Sequence, residues 1–272
     1  MKRCAAGDRE PVSDTLLYAV DDGIATVTLN RPQVMIALDG GLIVRLRAVC
    51  EEARDDTAVR AIVLRGNGPA FLAGGDVALF HANLPRLPEL VGELAGELHR
   101  AIIALREAAK PVLASVHGAV AGAGVSLLAA ADVAIAAAET KFTLAYSRIA
   151  TSPDGGSTYF LPRIVGTRKA LELMLLADGF DAETARTLGL VNWVVAGADL
   201  ATETAKLARR LASGPTLAYA ETKALVNHTF ERPLAEQLDA EVQAFARCAR
   251  TADLAEGVTA FVQKRSPRFR GE

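Results

Sequence analysis

From Ala119 to Ala138 the chain is apolar over the length of a membrane span, interrupted only by Ser126 and Asp132, and no other stretch restricts the fold as much. Ala and Gly dominate the run, so it reads as a buried helix followed by a buried strand rather than as a span. Val112–Val116, just upstream, reads as a further buried strand, and Gly118, Gly122 and Gly124 follow it at once. A chain that alternates buried strands, glycine-rich turns and apolar helices belongs to the α/β class.

The rest of the chain continues that alternation. Thr15–Val20 and Ile24–Leu29 are β-rich runs around Asp21-Asp22-Gly23, a hairpin signal. Leu42, Leu46, Val49 and Ala53 recur at helical spacing, Ala61–Leu64 reads as a strand, and Leu90–Ala108 as a helix closed by Lys110-Pro111. Asp132–Ala137 and Val191–Val195 read as strands, Leu171–Leu176 and Ala182–Leu188 as helices. From Leu200 the pattern is helical only, broken at Gly214-Pro215 and Arg232-Pro233. The expected organisation is a leader at residues 1–14, an α/β core at 15–199 and a helical part at 200–272.

With 272 residues, 51% of them apolar, the chain can bury a sizeable core. A formal net charge of -2 produces no field that points to nucleic acid or an anionic membrane, so neither is an expected partner. Cys4, Cys50 and Cys248 have neither metal-like nor CxxC spacing, and an odd number suits a reducing, cytoplasmic setting. Met1–Asp14 lacks the apolar run of about 7–15 residues that a secretory signal needs and reads as a flexible leader.

Two turns could carry chemistry. Ala70-Phe71-Leu72-Ala73-Gly74-Gly75-Asp76 and Gly118-Ala119-Val120-Ala121-Gly122-Ala123-Gly124 each follow a strand. Glycines there let the backbone approach a ligand and present free N–H groups, which could hold one oxyanion between the two turns. The competing reading is that the glycines only permit tight packing. A dinucleotide fingerprint would begin at Gly122-Ala123-Gly124, but its sixth position is Leu127, and no Gly-Lys-Ser/Thr completes a phosphate loop.

Taken in order, Val27-Thr28-Leu29-Asn30-Arg31-Pro32, the two glycine turns, Ala131-Asp132-Val133, Pro153-Asp154-Gly155-Gly156-Ser157 and Leu161–Gly166 resemble the crotonase (enoyl-CoA hydratase/isomerase) superfamily, over about residues 15–267. The resemblance implies a spiral of ββα units and a helical C-terminal trimerisation region, as a homotrimer or hexamer. It also implies an acyl-CoA thioester substrate with no cofactor beyond the CoA the substrate carries, and no metal. By position, the thioester oxygen would be held by the backbone N–H groups of Gly75 and Ala123. Ala37, Ala73, Asp76, Tyr146 and Lys264 would complete the CoA and substrate contacts. For Lys264 a solvated basic C-terminus is the competing reading. The residue before Ala37 is commonly Asn in the family, and here it is Ile36.

The two glutamates with which the family's hydratases activate water fall here on Ser126 and Tyr146. Neither is a general base near neutral pH. Asp154 offers another route, because its surroundings resemble the motif of enoyl-CoA isomerases and of ring-epoxide isomerases acting on phenylacetyl-CoA derivatives. One carboxylate can remove a proton and return it two carbons away while the oxyanion site holds the charge. The competing reading of Asp154 is a turn or helix cap. His81, His99, His117 and His228 show no metal spacing, so surface or core roles are expected of them. Phe71, Leu79, Phe80 and Leu84 are candidates to shape an acyl pocket, with core packing as the competing reading. The expectation is an isomerase acting through Asp154; a hydratase using Asp154 and a bound water, and a non-catalytic CoA-thioester-binding protein, are the alternatives.

Overall fold

The computed structural model describes residues 15–272, so the leader expected at 1–14 lies outside the described residues. Ten strands divide between two sheets. They are β1 (Leu16–Asp21), β2 (Ile24–Leu29), β3 (Ala61–Gly66), β4 (Ala70–Leu72), β5 (Val112–Val116), β6 (Ala119–Ala121), β7 (Val133–Ala137), β8 (Lys141–Thr143), β9 (Phe180–Asp181) and β10 (Trp193–Val195). The larger sheet has the order β1-β2-β3-β5-β7-β10 and the smaller β4-β6-β8-β9. The β1–β2 hairpin turns through Asp22 and Gly23 at φ 46° and 74°, the pair of left-handed residues that matches strand twist in a two-residue turn. Every other pairing in the larger sheet is parallel.

Eleven α-helices connect and cover the sheets: α1 (Gly40–Asp55), α2 (Val77–Ala82), α3 (Leu87–Glu107), α4 (Ala123–Ala129), α5 (Ser157–Val165), α6 (Thr167–Leu176), α7 (Ala182–Thr187), α8 (Leu200–Ala212), α9 (Thr216–Asn227), α10 (Leu234–Cys248) and α11 (Ala252–Val262). The chain repeats one move: a strand in the larger sheet, a short turn, a strand in the smaller sheet, then helix. β3 leads to β4, β5 to β6 and β7 to β8 in this way, which is the ββα spiral of the crotonase fold. All five residues of β5 are buried, as a central parallel strand covered on both faces requires.

The strands of the smaller sheet were not read from the sequence. β4 and β6 lie inside the two glycine-rich turns, and each is three residues long. The apolar run from Ala119 to Ala138 consequently divides into β6, the seven-residue α4 and β7, where one helix and one strand were expected. Three residues are too few for alternation to show. Their extended shape comes from pairing of β4 with β6 and of β6 with β8, a tertiary cause.

Packing around the site is fixed from two sides. Asp39 caps α1 by accepting from the Leu42 N–H at 2.8 Å, and α1 buries the predicted stripe Leu42, Leu46, Val49 and Ala53. On the other side Lys223 of α9 reaches Asp132 at 2.8 Å and the Leu105 carbonyl at 2.7 Å, which pins α9 against α3. Burial pulls the Lys223 ammonium below its ordinary pKa, and Asp132 opposes that shift. Leu200 and Ala208 of α8 pack on Val63, Leu113 and Ile135 of the larger sheet. On α10, Leu234, Leu238, Val242 and Phe245 recur along one face and are all exposed. No helix among the described residues is long and apolar enough to cross a membrane.

Candidate active site

The first glycine turn is held by a parallel bridge between Leu38 and Gly75. Leu38 N–H donates to the Gly74 carbonyl at 2.8 Å, and Asp76 N–H donates to the Leu38 carbonyl at 2.9 Å. In such a bridge the residue between the two bonded neighbours points its own N–H away from the partner. Gly75 is that residue, and its N–H donates to no acceptor among the described residues. Ala123, the first residue of α4, is likewise without an acceptor, as helix starts require.

The two turns touch. Gly74 has φ 101°, and a Cβ there would stand 3.3 Å from the Ala121 carbonyl oxygen. Gly122 has φ 50°, and a Cβ on it would lie 3.7 Å from the Gly74 Cα. Glycine suits both positions for conformation, and Gly74 for close approach as well, and the residue after each has an unengaged donor. Phe80 of α2 stands against Gly75, so a Cβ there would meet its ring at 2.9 Å.

Asp154 sits at a junction of three side chains. The Tyr146 hydroxyl donates to Asp154 Oδ1 at 2.6 Å. Ser126 Oγ donates to the Asp154 carbonyl at 2.9 Å and lies 3.2 Å from the Tyr146 hydroxyl. Asp154 Oδ2 takes no hydrogen bond from the described residues. Burial, and then the carboxylate beside it, push the Tyr146 phenol well above its ordinary pKa, so it stays protonated and donates. Ser126 lies one helical turn from Ala123 on α4, and a Cβ on Gly122 would be 3.8 Å from the Tyr146 ring. The carboxylate cluster and the second glycine turn are therefore neighbours.

Asp154 opens on a cavity of about 940 Å³ between α3, α5 and α9. Its walls include His99, Ile102, Ile103, Tyr159, Phe160 and Asn227. None of Phe71, Leu79, Phe80 and Leu84 lines this cavity: Phe71 is fully buried in the core, Leu84 is exposed, and Phe80 stands against Gly75. Their hydrophobicity could not distinguish core from pocket. His99, expected in a surface or core role, instead accepts the Gly155 N–H at 3.3 Å beside Asp154. Nothing in its sequence neighbourhood signals this, because the contact spans 56 residues.

The remaining expected positions divide. The N–H groups of Ala73 and Asp76 donate to the Met35 and Leu38 carbonyls, at 3.1 and 2.9 Å. The Ala73 carbonyl accepts no hydrogen bond from the described residues. Arg31 explains the local order: it donates to the Ala37 carbonyl and pairs with Asp39 at 3.1 Å and Asp76 at 3.3 Å, drawing the segment after β2 onto the first turn. Ile36 replaces the family's common Asn in left-handed backbone, at φ 58°, where a β-branched residue is strained. It is fully buried, and its side chain joins the core instead of offering hydrogen bonds. Lys264 follows α11, and no contact among the described residues joins it to the cluster.

The family model for enoyl-CoA hydratase/isomerase matches residues 19–272. The chain belongs to the enoyl-CoA hydratase/isomerase family. It is 38% identical to a Rhodobacter capsulatus protein named "Probable enoyl-CoA hydratase", over 94% of this chain and 98% of that one. It is 34% identical to the 1,2-epoxyphenylacetyl-CoA isomerase of Escherichia coli, with the same coverage. Among solved structures, an enoyl-CoA hydratase from Polaromonas sp. JS666 superposes with a TM-score of 0.89 at 32% identity, covering 94% of this chain and 99% of that one. An enoyl-CoA hydratase/isomerase-type enzyme is thus established at the level of the family.

Proposed function

We propose that this enzyme isomerises an enoyl-CoA, or a related ring-bearing acyl-CoA, through an enolate. The Gly75 and Ala123 N–H groups hold the thioester oxygen, and Asp154 carries the proton. The observation behind this reading is a single carboxylate, one oxygen engaged by Tyr146 and the other unengaged, that lines a cavity and neighbours, through Ser126 and Tyr146, the second of two turns with unengaged backbone donors. For a 3-enoyl thioester, Asp154 Oδ2 takes a proton from C2, and the electron pair spreads over the thioester oxygen and C4. The same oxygen then returns the proton at C4, so the double bond ends between C2 and C3. Nothing is gained or lost, and no cofactor enters beyond the CoA of the substrate. A lost oxyanion donor in such chemistry costs about 3–4 kcal/mol.

Ala73 through its carbonyl, and Lys264 from a neighbouring copy, are the proposed contacts to CoA. The exposed apolar face of α10 is the proposed contact between copies in a trimer or hexamer. The deciding experiment presents trans-2-enoyl-CoA and cis- or trans-3-enoyl-CoA to the protein and to Asp154→Asn. Isomerisation of the 3-enoyl substrate that disappears in the variant is expected. Hydration of the 2-enoyl substrate alone would favour a hydratase in which Asp154 and the Ser126 or Tyr146 hydroxyl hold the water. CoA binding by calorimetry with no turnover of either substrate would leave a non-catalytic binder.

A further inference from the structure

Asp154 lies in Pro153-Asp154-Gly155-Gly156, where Gly155 and Gly156 take φ 60° and 79°. The turn closes on itself through the Ser157 N–H, which donates to the Asp154 carbonyl at 3.2 Å, but its two left-handed glycines carry little intrinsic preference, so bonds from neighbouring side chains help to set the direction of the carboxylate. Ser126 and Ser157, both fully buried, donate to the Asp154 carbonyl at 2.9 and 3.0 Å. His99 accepts the N–H of Gly155 at 3.3 Å through Nε2. That bond requires a lone pair on Nε2, which places the ring proton on Nδ1. The carbonyl of Asp154 and the N–H of Gly155 are the opposite edges of one planar peptide unit. The plane is therefore held at both edges, by α4 and α5 on one and by α3 on the other. Ser126 and Ser157 are interior residues, whereas His99 is exposed to the cavity and fills no core volume.

We propose that His99 is a positioning residue for the reaction: by taking the Gly155 N–H it fixes the Asp154–Gly155 peptide plane and thereby aims Asp154 Oδ2 at the substrate carbon. The inference rests on the assignment of Asp154 as the base. His99→Leu removes the acceptor at little change in volume. His99→Gln keeps one, because its amide oxygen can take the place of Nε2. The readouts are kcat, KM, thermal midpoint and exchange of the substrate α-proton in heavy water, the last a direct measure of proton removal. His99→Leu should lower kcat and the exchange rate about tenfold, as one misplaced reacting group does at the mild end of such effects. Its KM should stay within about twofold, its midpoint within a few degrees, and His99→Gln should recover most of the rate.

A His99→Leu enzyme with wild-type exchange overturns the proposal. So does a change confined to KM, which would make the ring a plain part of the cavity wall. A parallel fall of rate and thermal midpoint in both variants would reduce His99 to a fold contact and overturn it as well. Asp154→Asn separates the two levels: if it keeps wild-type exchange the base assignment itself fails, whereas loss of exchange there with none in His99→Leu rejects only the positioning role.

Discussion

The two halves of the site are built by different means. In the proposed site the groups at the glycine turns are backbone N–H donors, and their placement follows from φ values that glycine alone takes easily, at Gly74 and Gly122. The proposed base, Asp154, is a side chain whose carboxylate is bonded by Tyr146 and whose backbone is held by Ser126, Ser157 and, through Gly155, His99. A backbone donor is largely indifferent to its own side chain, so an alanine such as Ala123 can supply one. A carboxylate held by neighbours depends on the identity of each one. Ser126 and Tyr146, which the resemblance puts at the hydratases' glutamate positions, both bond to Asp154.

The comparison is broken most directly at Asp154. Asp154→Asn should lower turnover about 10²–10⁴-fold, the range of a general acid–base group, with CoA affinity in calorimetry unchanged. Gly74→Ala tests the other half. It places a Cβ 3.3 Å from the Ala121 carbonyl oxygen at φ 101°, so the turn must shift and carry the Gly75 donor with it. Turnover should fall about 10²–10³-fold, with Asp154 still able to react with a carboxylate-directed reagent. If Ala at this position is as active as Gly, the backbone half is not what its geometry says it is.

Tyr146→Phe removes the donor to Asp154 Oδ1. A hydrogen bond to a charged group contributes about 1.5–3 kcal/mol, so a decrease of roughly ten- to a hundredfold in kcat is expected. The same variant has a pH signature. The raised pKa of Tyr146 means that above pH 10, its ordinary value, the unfolded chain ionises this phenol while the native protein does not. Stability supplied by the protonated phenol is therefore present below that pH and drains away above it. The thermal midpoint should fall less between pH 9 and 11 in Tyr146→Phe than in the parent. Ser126→Ala is the mildest test: a neutral bond of about 0.5–1.5 kcal/mol predicts a loss of severalfold in kcat. A larger loss than that of Tyr146→Phe would show that the carbonyl clamp, not the carboxylate bond, orients Asp154.

Much of the architecture was legible because it is periodic. Ile24–Leu29 and Val112–Val116 were read with the bounds they have as β2 and β5, and the α1 stripe is the predicted one. The glycine turns were legible because few residues other than glycine tolerate those angles. β4, β6, β8 and β9 were not, since two or three residues carry no period and become strands only when the larger sheet brings them side by side. In the site, Asp154 stood out by its motif, but its partners did not. A tyrosine eight residues away, a serine 28 away and a histidine near the middle of α3 have no shared local signal.

The sequence by itself therefore determined the strands of the larger sheet, the family, and the two places where the backbone must bend to expose its N–H groups, because those properties reside in local conformational preference and hydrophobic period. Only the tertiary structure decided that Tyr146 meets the Asp154 carboxylate, that Ser126 and His99 reach the peptide unit after it, and that the cavity beside it is walled by α3, α5 and α9. Distances between residues remote in sequence are set by how sheets and helices pack, and no local pattern encodes them.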